Sequence, residues 1–117
     1  MSNKVQLGLF GQKAAENFLL NKGMVLRESN FRAFGGEIDL IMKDDIYIVF
    51  IEVKYRKGLS HGFPSEAVDF RKQQRIKKVA LQYIARHNLH DNDFRFDVVE
   101  ILEIQKKLAI NHIENAF

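Results

Sequence analysis

Residues 36–54 read GEIDLIMKDDIYIVFIEVK, and the folding of this stretch decides the rest of the chain. Lys43-Asp44-Asp45 is a turn signal between two apolar segments. The second segment, Ile46 to Ile51, is a continuous run of β-favoured residues too short for a helix. The pattern predicts a strand from Glu37 to Met42 and then a central strand, buried on both faces, that leads into Glu52-Val53-Lys54. A turn of two or four residues pairs Met42 with Tyr47 or Lys43 with Ile46. That register sets Asp39 across from Phe50 and Glu37 across from Glu52, with Asp39, Glu52 and Lys54 on one face. An odd loop without a compensating bulge sends Asp39 to the other face.

Upstream, Ala14, Ala15, Phe18 and Leu19 recur at helical spacing from Gln12 to Asn21, and Gly23 stands where such a helix ends. Met24 to Arg32 reads as a short outer strand, turned by Phe34-Gly35-Gly36. Downstream, Gly58 to Pro64 holds two glycines and the only proline, the composition of a loop suited to a flap over a site. From about Asp69 to Asn88, Ile76, Val79, Ala80, Tyr83 and Ile84 form an apolar stripe opposite Arg71, Arg75 and Lys78. Phe94 to Ile104 and Lys107 to Ile113 read as strands joined by a tight turn at Gln105-Lys106. The predicted order is α-β-β-β-α-β-β, an α/β arrangement with a five-stranded mixed sheet flanked by helices.

A chain of 117 residues with 46% hydrophobic content has enough apolar material for one core, and a single domain over residues 1–117 is expected. No stretch approaches the roughly 18 consecutive apolar residues of a membrane span. Gln12, Lys13, Glu16 and Asn17 interrupt the first twenty positions, so neither a membrane partner nor a targeting segment is expected. The chain lacks cysteine, which rules out disulfides and thiolate zinc sites and makes a cytoplasmic location the default expectation. A net charge of +3 hints only weakly at a polyanionic partner.

Two carboxylates and an ammonium on adjacent strands have a specific chemical use. Phosphodiester hydrolysis needs a nucleophilic water, neutralisation of the charge that builds on phosphorus, and help for the leaving oxygen. In this reading Asp39, Glu52 and Lys54 are catalytic. Asp39 and Glu52 ligate Mg2+ or Mn2+ with the backbone carbonyl of Val53, Lys54 orients the attacking water, and Glu37 supports the set from behind. Alternation explains the Glu-Val-Lys spacing, because residues two apart in a strand point the same way. The same triplet is also common on solvated strand faces. Here, however, both acids lie in the most apolar part of the chain, where charge is costly unless paired.

The ordered set Gly8, Gly11, Ala15, Leu19, Gly23, Asn30, Arg32, Gly36-Glu37-Ile38-Asp39-Leu40-Ile41, Val49-Phe50-Ile51-Glu52-Val53-Lys54, Ala67-Val68, Arg95-Phe96-Asp97-Val98-Val99 and Asn115-Ala116-Phe117 resembles the YraN-like bacterial family. That family is similar to archaeal Holliday-junction resolvases and falls, by resemblance, in the PD-(D/E)XK restriction-endonuclease-like superfamily. The resemblance implies a restriction-endonuclease-like core with Asp39, Glu52 and Lys54 at the metal and catalytic positions. It also implies that Gln73, early in the long helix, reaches towards the catalytic face. Members usually carry a glutamate directly after the glycine that is Gly11 here, whereas this chain has Gln12. An amide is a poorer ligand for a hard cation, and Glu16, one helical turn on, is the residue placed to take over that duty.

Arg71, Lys72, Arg75, Lys77 and Lys78 crowd the first turns of the long helix, and Arg32 and Arg56 flank the site strands. Such side chains contact backbone phosphates without reading sequence, so nucleic acid, DNA rather than RNA, is the expected partner. The competing reading of the run is a solvated helix face. His87 and His90 read as helix-end polar residues, and His61 and His112 as surface residues. Ten phenylalanines without tryptophan point to core filling first; Phe34 or Phe63 on loops could stack bases, with ordinary packing as the favoured alternative. A metal-dependent DNA endonuclease acting on branched or structured DNA is the leading expectation. A nuclease-fold binding module without efficient turnover and a protein-interaction scaffold are its rivals. A homodimer is the quaternary state used by resolvases that cut two strands.

Overall fold

The computed structural model describes residues 3–58 and 68–117. Its elements are α1 (Asn3–Asn21), β1 (Val25–Ala33), β2 (Gly36–Asp44), β3 (Tyr47–Lys57), α2 (Phe70–Arg86), β4 (Asp93–Ile104) and β5 (Lys107–Ile113). The strands form one sheet in the order β1-β2-β3-β4-β5. All neighbours are antiparallel except β3 and β4, which makes the sheet mixed as expected. A parallel pair needs a long crossover, and α2 lies within that connection.

β2 does not break at Lys43. Asp44 pairs with Tyr47 and Leu40 with Ile51, so the turn is Asp45-Ile46, with Asp45 at φ 55°. This corrects the expected register by two residues: Asp39 comes level with Glu52 one step beyond the Leu40–Ile51 pair, not across from Phe50. Glu37 faces Arg32 of β1 and is not across from Glu52. Slippage by an even number leaves every side chain on its own face, so the shared face of Asp39 and Glu52 survives the correction.

Alternation along β3 feeds two cores. Ile48 and Phe50 pack with Ile41, Ile76, Val79 and Tyr83 beneath α2. Val49 and Ile51 pack with Ala15, Leu19, Leu40, Met42 and Ile101 beneath α1. Each fully buried aliphatic side chain of this kind contributes about 1.5–3 kcal/mol.

α1 begins at Asn3 rather than at the expected Gln12. Gly11, just outside the helix expected from the sequence, lies within α1 at a point of close approach. A Cβ at Gly11 would lie 2.8 Å from both Tyr55 Cβ and Tyr55 Cδ2. α2 is capped by Asp69, whose carboxylate accepts the Lys72 N–H at 2.9 Å, and it buries the stripe Ile76, Val79, Ala80, Tyr83 and Ile84. Gln105 and Lys106 turn β4 into β5 with φ of 50° and 64°, the left-handed pair that matches a two-residue hairpin. Among the described residues no helix is long and apolar enough to cross a membrane. The expected flap beyond Gly58, with His61, Phe63 and Pro64, lies outside the described residues, as does Ala67 of the family motif.

Candidate active site

Where the β2–β3 pairing ends, a side chain replaces the next ladder partner: the Val53 N–H donates to Asp39 Oδ2 at 2.8 Å. This fixes the carboxylate at the edge of a cleft of about 320 Å³. Gly35, Glu37, Asp39, Glu52, Lys72 and Arg75 line it, drawn from three separate parts of the chain. Glu52 is only 8% exposed, and its Oε1 accepts from Lys72 Nζ at 2.7 Å. Glu37 Oε1 accepts from Asn30 Nδ2 at 2.8 Å, and its Oε2 lies 3.5 Å from Arg32 Nε. Asn30 also exchanges two hydrogen bonds with Gln12, at 2.7 and 3.0 Å. The chain Gln12–Asn30–Glu37 thus ties α1 to the cleft wall.

The electrostatics follow from this crowding. Burial, and then the negative charge of Glu52, push the Asp39 carboxyl up to about 7, against the opposing pull of the Val53 N–H and Lys72. Two carboxylates in one cleft, with Glu52 paired to Lys72, offer oxygen ligands of the kind a hard cation takes. Asp39 and Glu52, with the Val53 carbonyl, are the groups able to hold one.

The model of the uncharacterised protein family UPF0102 matches residues 11–101, a span that contains every residue of the cleft. The chain belongs to this family. The UPF0102 protein of Clostridioides difficile strain 630 is 46% identical over 117 residues, covering 100% of both chains. That of Caldicellulosiruptor bescii is 49% identical, covering 98% of this chain and 99% of its own. That of Caldanaerobacter subterraneus subsp. tengcongensis is 47% identical, covering 98% and 97%.

The other residues singled out in this UPF0102 sequence fall around the cleft in different ways. Lys54 lies outside the cleft lining, two residues beyond Glu52 on the same side of β3, in register with Glu100 of β4. Glu16 pairs with Lys13 at 3.4 Å, and neither it nor Gln12 lines the cleft. Gln73 donates to the Val68 carbonyl at 2.7 Å and secures the start of α2. Of the basic residues, Lys72 and Arg75 reach the cleft. Lys78 lies against Phe34, and Arg71 and Arg56 are exposed.

Two groups were missed in the sequence. Glu100 is 4% exposed, and its Oε2 has no hydrogen-bond partner among the described residues. Burial raises its pKa, and the charges of Lys54 and Arg56 work against that rise. Its signal was a lone acid in the apolar run Val98-Val99-Glu100-Ile101-Leu102. The second group is a network on the α1 side of the sheet around Asp97, which is fully buried. Asp97 accepts from Arg95 Nη2 at 2.9 Å, from His112 Nε2 at 2.7 Å and from the Asn115 N–H at 3.1 Å.

The reading of His112 as a surface residue is thereby corrected, since its side chain is 2% exposed. Lys22 Nζ lies 2.9 Å from His112 Nδ1. An ammonium only donates, so Nδ1 is the acceptor of this contact and Nε2 is left to donate to Asp97. Asp97, His112 and Glu114 bring ligand atoms within 4.8 Å of one another. The Arg95 guanidinium, 3.5 Å from Glu114 and 3.1 Å from Asp44, already supplies the positive charge of this cluster, which reads as a structural clasp.

Proposed function

We propose that this chain is a metal-dependent nuclease that hydrolyses DNA phosphodiester bonds, with branched or structured DNA as its substrate class. The observation that carries the reading is the convergence of Asp39 and Glu52, from neighbouring strands, on one cleft edged by Lys72 and Arg75. Asp39, Glu52 and the Val53 carbonyl would hold Mg2+ or Mn2+, which when bound neutralises charge on the phosphate and lowers the pKa of a water. The Val53 N–H holds Asp39 Oδ2, so the carboxylate is already fixed where it lines the cleft. Lys72 and Arg75 receive a backbone phosphate as it enters, and Lys72 exchanges the Glu52 carboxylate for it. Lys54, on the same face of β3 but outside the cleft lining, would have to swing towards the cleft to orient the attacking water and favour its deprotonated form. Glu37, steadied by Asn30 and Arg32, maintains negative potential behind Asp39.

A second reading has its own support: the Lys72–Glu52 ion pair and the neutral Gln12 bound to Asn30 describe a cleft satisfied by internal partners. That is the character of a DNA-binding module with weak turnover. Cleavage of forked, four-way and linear DNA in Mg2+ or Mn2+ separates the two. The nuclease reading expects activity that falls at least about 100-fold in Asp39→Asn and in Lys54→Ala. Cleavage that persists in both variants rejects the site. DNA binding without cleavage in the parent favours the module.

A further inference from the structure

Phe34 is 77% exposed, yet it is not a loosely held loop residue. A single side chain of α2 takes both of its main-chain groups: the Phe34 N–H donates to Gln82 Oε1 at 3.2 Å, and Gln82 Nε2 donates to the Phe34 carbonyl at 2.7 Å. Gly35 follows at φ 102°, a conformation in which a side chain would be strained, so the tip of the β1–β2 hairpin is fixed from both directions. The ring stands in water on a rigid mount. Phe70 is nearly as exposed, at 73%, but it begins a helix and has no such clamp among the described residues. Single exposed apolar side chains are ordinary. A clamped one beside a cleft is a built feature.

The surroundings select its ligand. Gly35 and Gly36, the next two residues, line the Asp39–Glu52 cleft, so the ring borders the place where a phosphate would sit. Lys78 Nζ lies 5.0 Å from the ring centroid, and the Arg32 side chain, on the same hairpin, is 80% exposed. An aromatic ring with a cation against it, next to the proposed phosphate site, matches a nucleotide whose base has left its stack. A base within duplex DNA is covered by its neighbours and cannot present its face in this way. We infer that Phe34 is a stacking platform for an unpaired base, selecting DNA with single-stranded or branch-point nucleotides over continuous duplex. This inference rests on the nuclease reading and adds the substrate feature that the cleft alone does not supply.

The test is binding in EDTA, which prevents cleavage, using a fork with 2-aminopurine at an unpaired junction position and a fully paired duplex of the same sequence. The parent is expected to quench the 2-aminopurine and to bind the fork more tightly than the duplex. Phe34→Ala should abolish the quench and weaken fork binding about 5- to 100-fold, the range for losing one base–aromatic stack, while leaving duplex affinity within about two-fold. Phe34→Trp should retain both effects. The exposed position lets these variants fold, and equal thermal midpoints confirm it. Equal effects of Phe34→Ala on fork and duplex, or quenching that persists in it, overturn the inference. In that outcome salt-sensitive duplex binding that depends on Lys72 and Arg75 leaves the nuclease reading standing. A parent that binds neither DNA removes both.

Discussion

At the scale of single residues, the cost of the cleft is measurable without any substrate. The Asp39 carboxyl is pushed from 3.8 to about 7, first by burial and then by Glu52. A raised carboxyl pKa means that the native state holds a proton that the unfolded chain has released. Stability contributed by this group is therefore complete below about pH 4 and is lost as pH rises towards 7. At about 1.4 kcal/mol per pKa unit the full shift is an upper bound, and about 2 kcal/mol is the expected effect once solvent screening is allowed for. Asp39→Asn should unfold at higher urea than the parent at pH 8 in EDTA, with the gap closing by pH 4. A parent whose midpoint tracks the variant across this range refutes the electrostatic picture. Adding Mn2+ at pH 8 should stabilise the parent alone, by about 2.7 kcal/mol at a hundred times its dissociation constant. The acids of this site were legible because a charged residue inside an apolar run demands an explanation. Lys72 as the direct partner of Glu52 was not, because that contact joins residues twenty positions apart and depends on how α2 is laid over the sheet.

At the scale of elements, the strands and the β4–β5 turn were readable, whereas the β2–β3 register and the start of α1 were not. Alternation and β-branched runs placed β4 to within one residue and β5 to the residue. The β2–β3 register slipped by two because Lys43 and Asp44 look like turn residues and yet pair within the sheet. The start of α1 was lost because Gly8 and Gly11 break the helical pattern, and the two glycines have opposite reasons for being there. A Cβ at Gly8 meets nothing within 4 Å, so Gly8→Ala should stabilise the helix by up to about 1 kcal/mol through propensity alone. At Gly11 the same change places Cβ 2.8 Å from Tyr55 Cβ, and overpacking of about 1–3 kcal/mol overrides the propensity gain. Thermal midpoints should therefore move in opposite directions. Removing the ring with Tyr55→Ala should not rescue Gly11→Ala, because the closest obstacle includes Tyr55 Cβ itself. Rescue would mean that α1 is positioned by the ring and not by approach to the β3 backbone.

At the scale of the whole molecule, the sheet separates the polar cluster proposed to bind from one that holds. The Asp39–Glu52 cleft opens on the α2 side, whereas Asp97, Arg95 and His112 lie on the α1 side, where they fasten β4 to β5 and to the segment at Asn115. Burial works to raise the Asp97 carboxyl, but the hydrogen bonds from His112, Arg95 and Asn115 prevail and hold it below the usual carboxylate range. A depressed carboxyl stabilises the fold above its unfolded pKa and stops doing so as acid protonates it, which is the reverse of Asp39. Breaking such a buried pair from one side strands a charge, so Arg95→Met should cost about 3–5 kcal/mol at pH 7. Adding Asp97→Asn, which removes the charge but keeps an acceptor for His112, should recover part of that loss, a non-additivity expected only of groups in one network. Under conditions where the variants remain folded, Mn2+ stabilisation and fork binding should match those of the parent, because the clasp contributes no group to the cleft. If Arg95→Met leaves the urea midpoint unchanged but abolishes either form of binding, the division of labour between the two faces is wrong and the Asp97 cluster is itself a functional site.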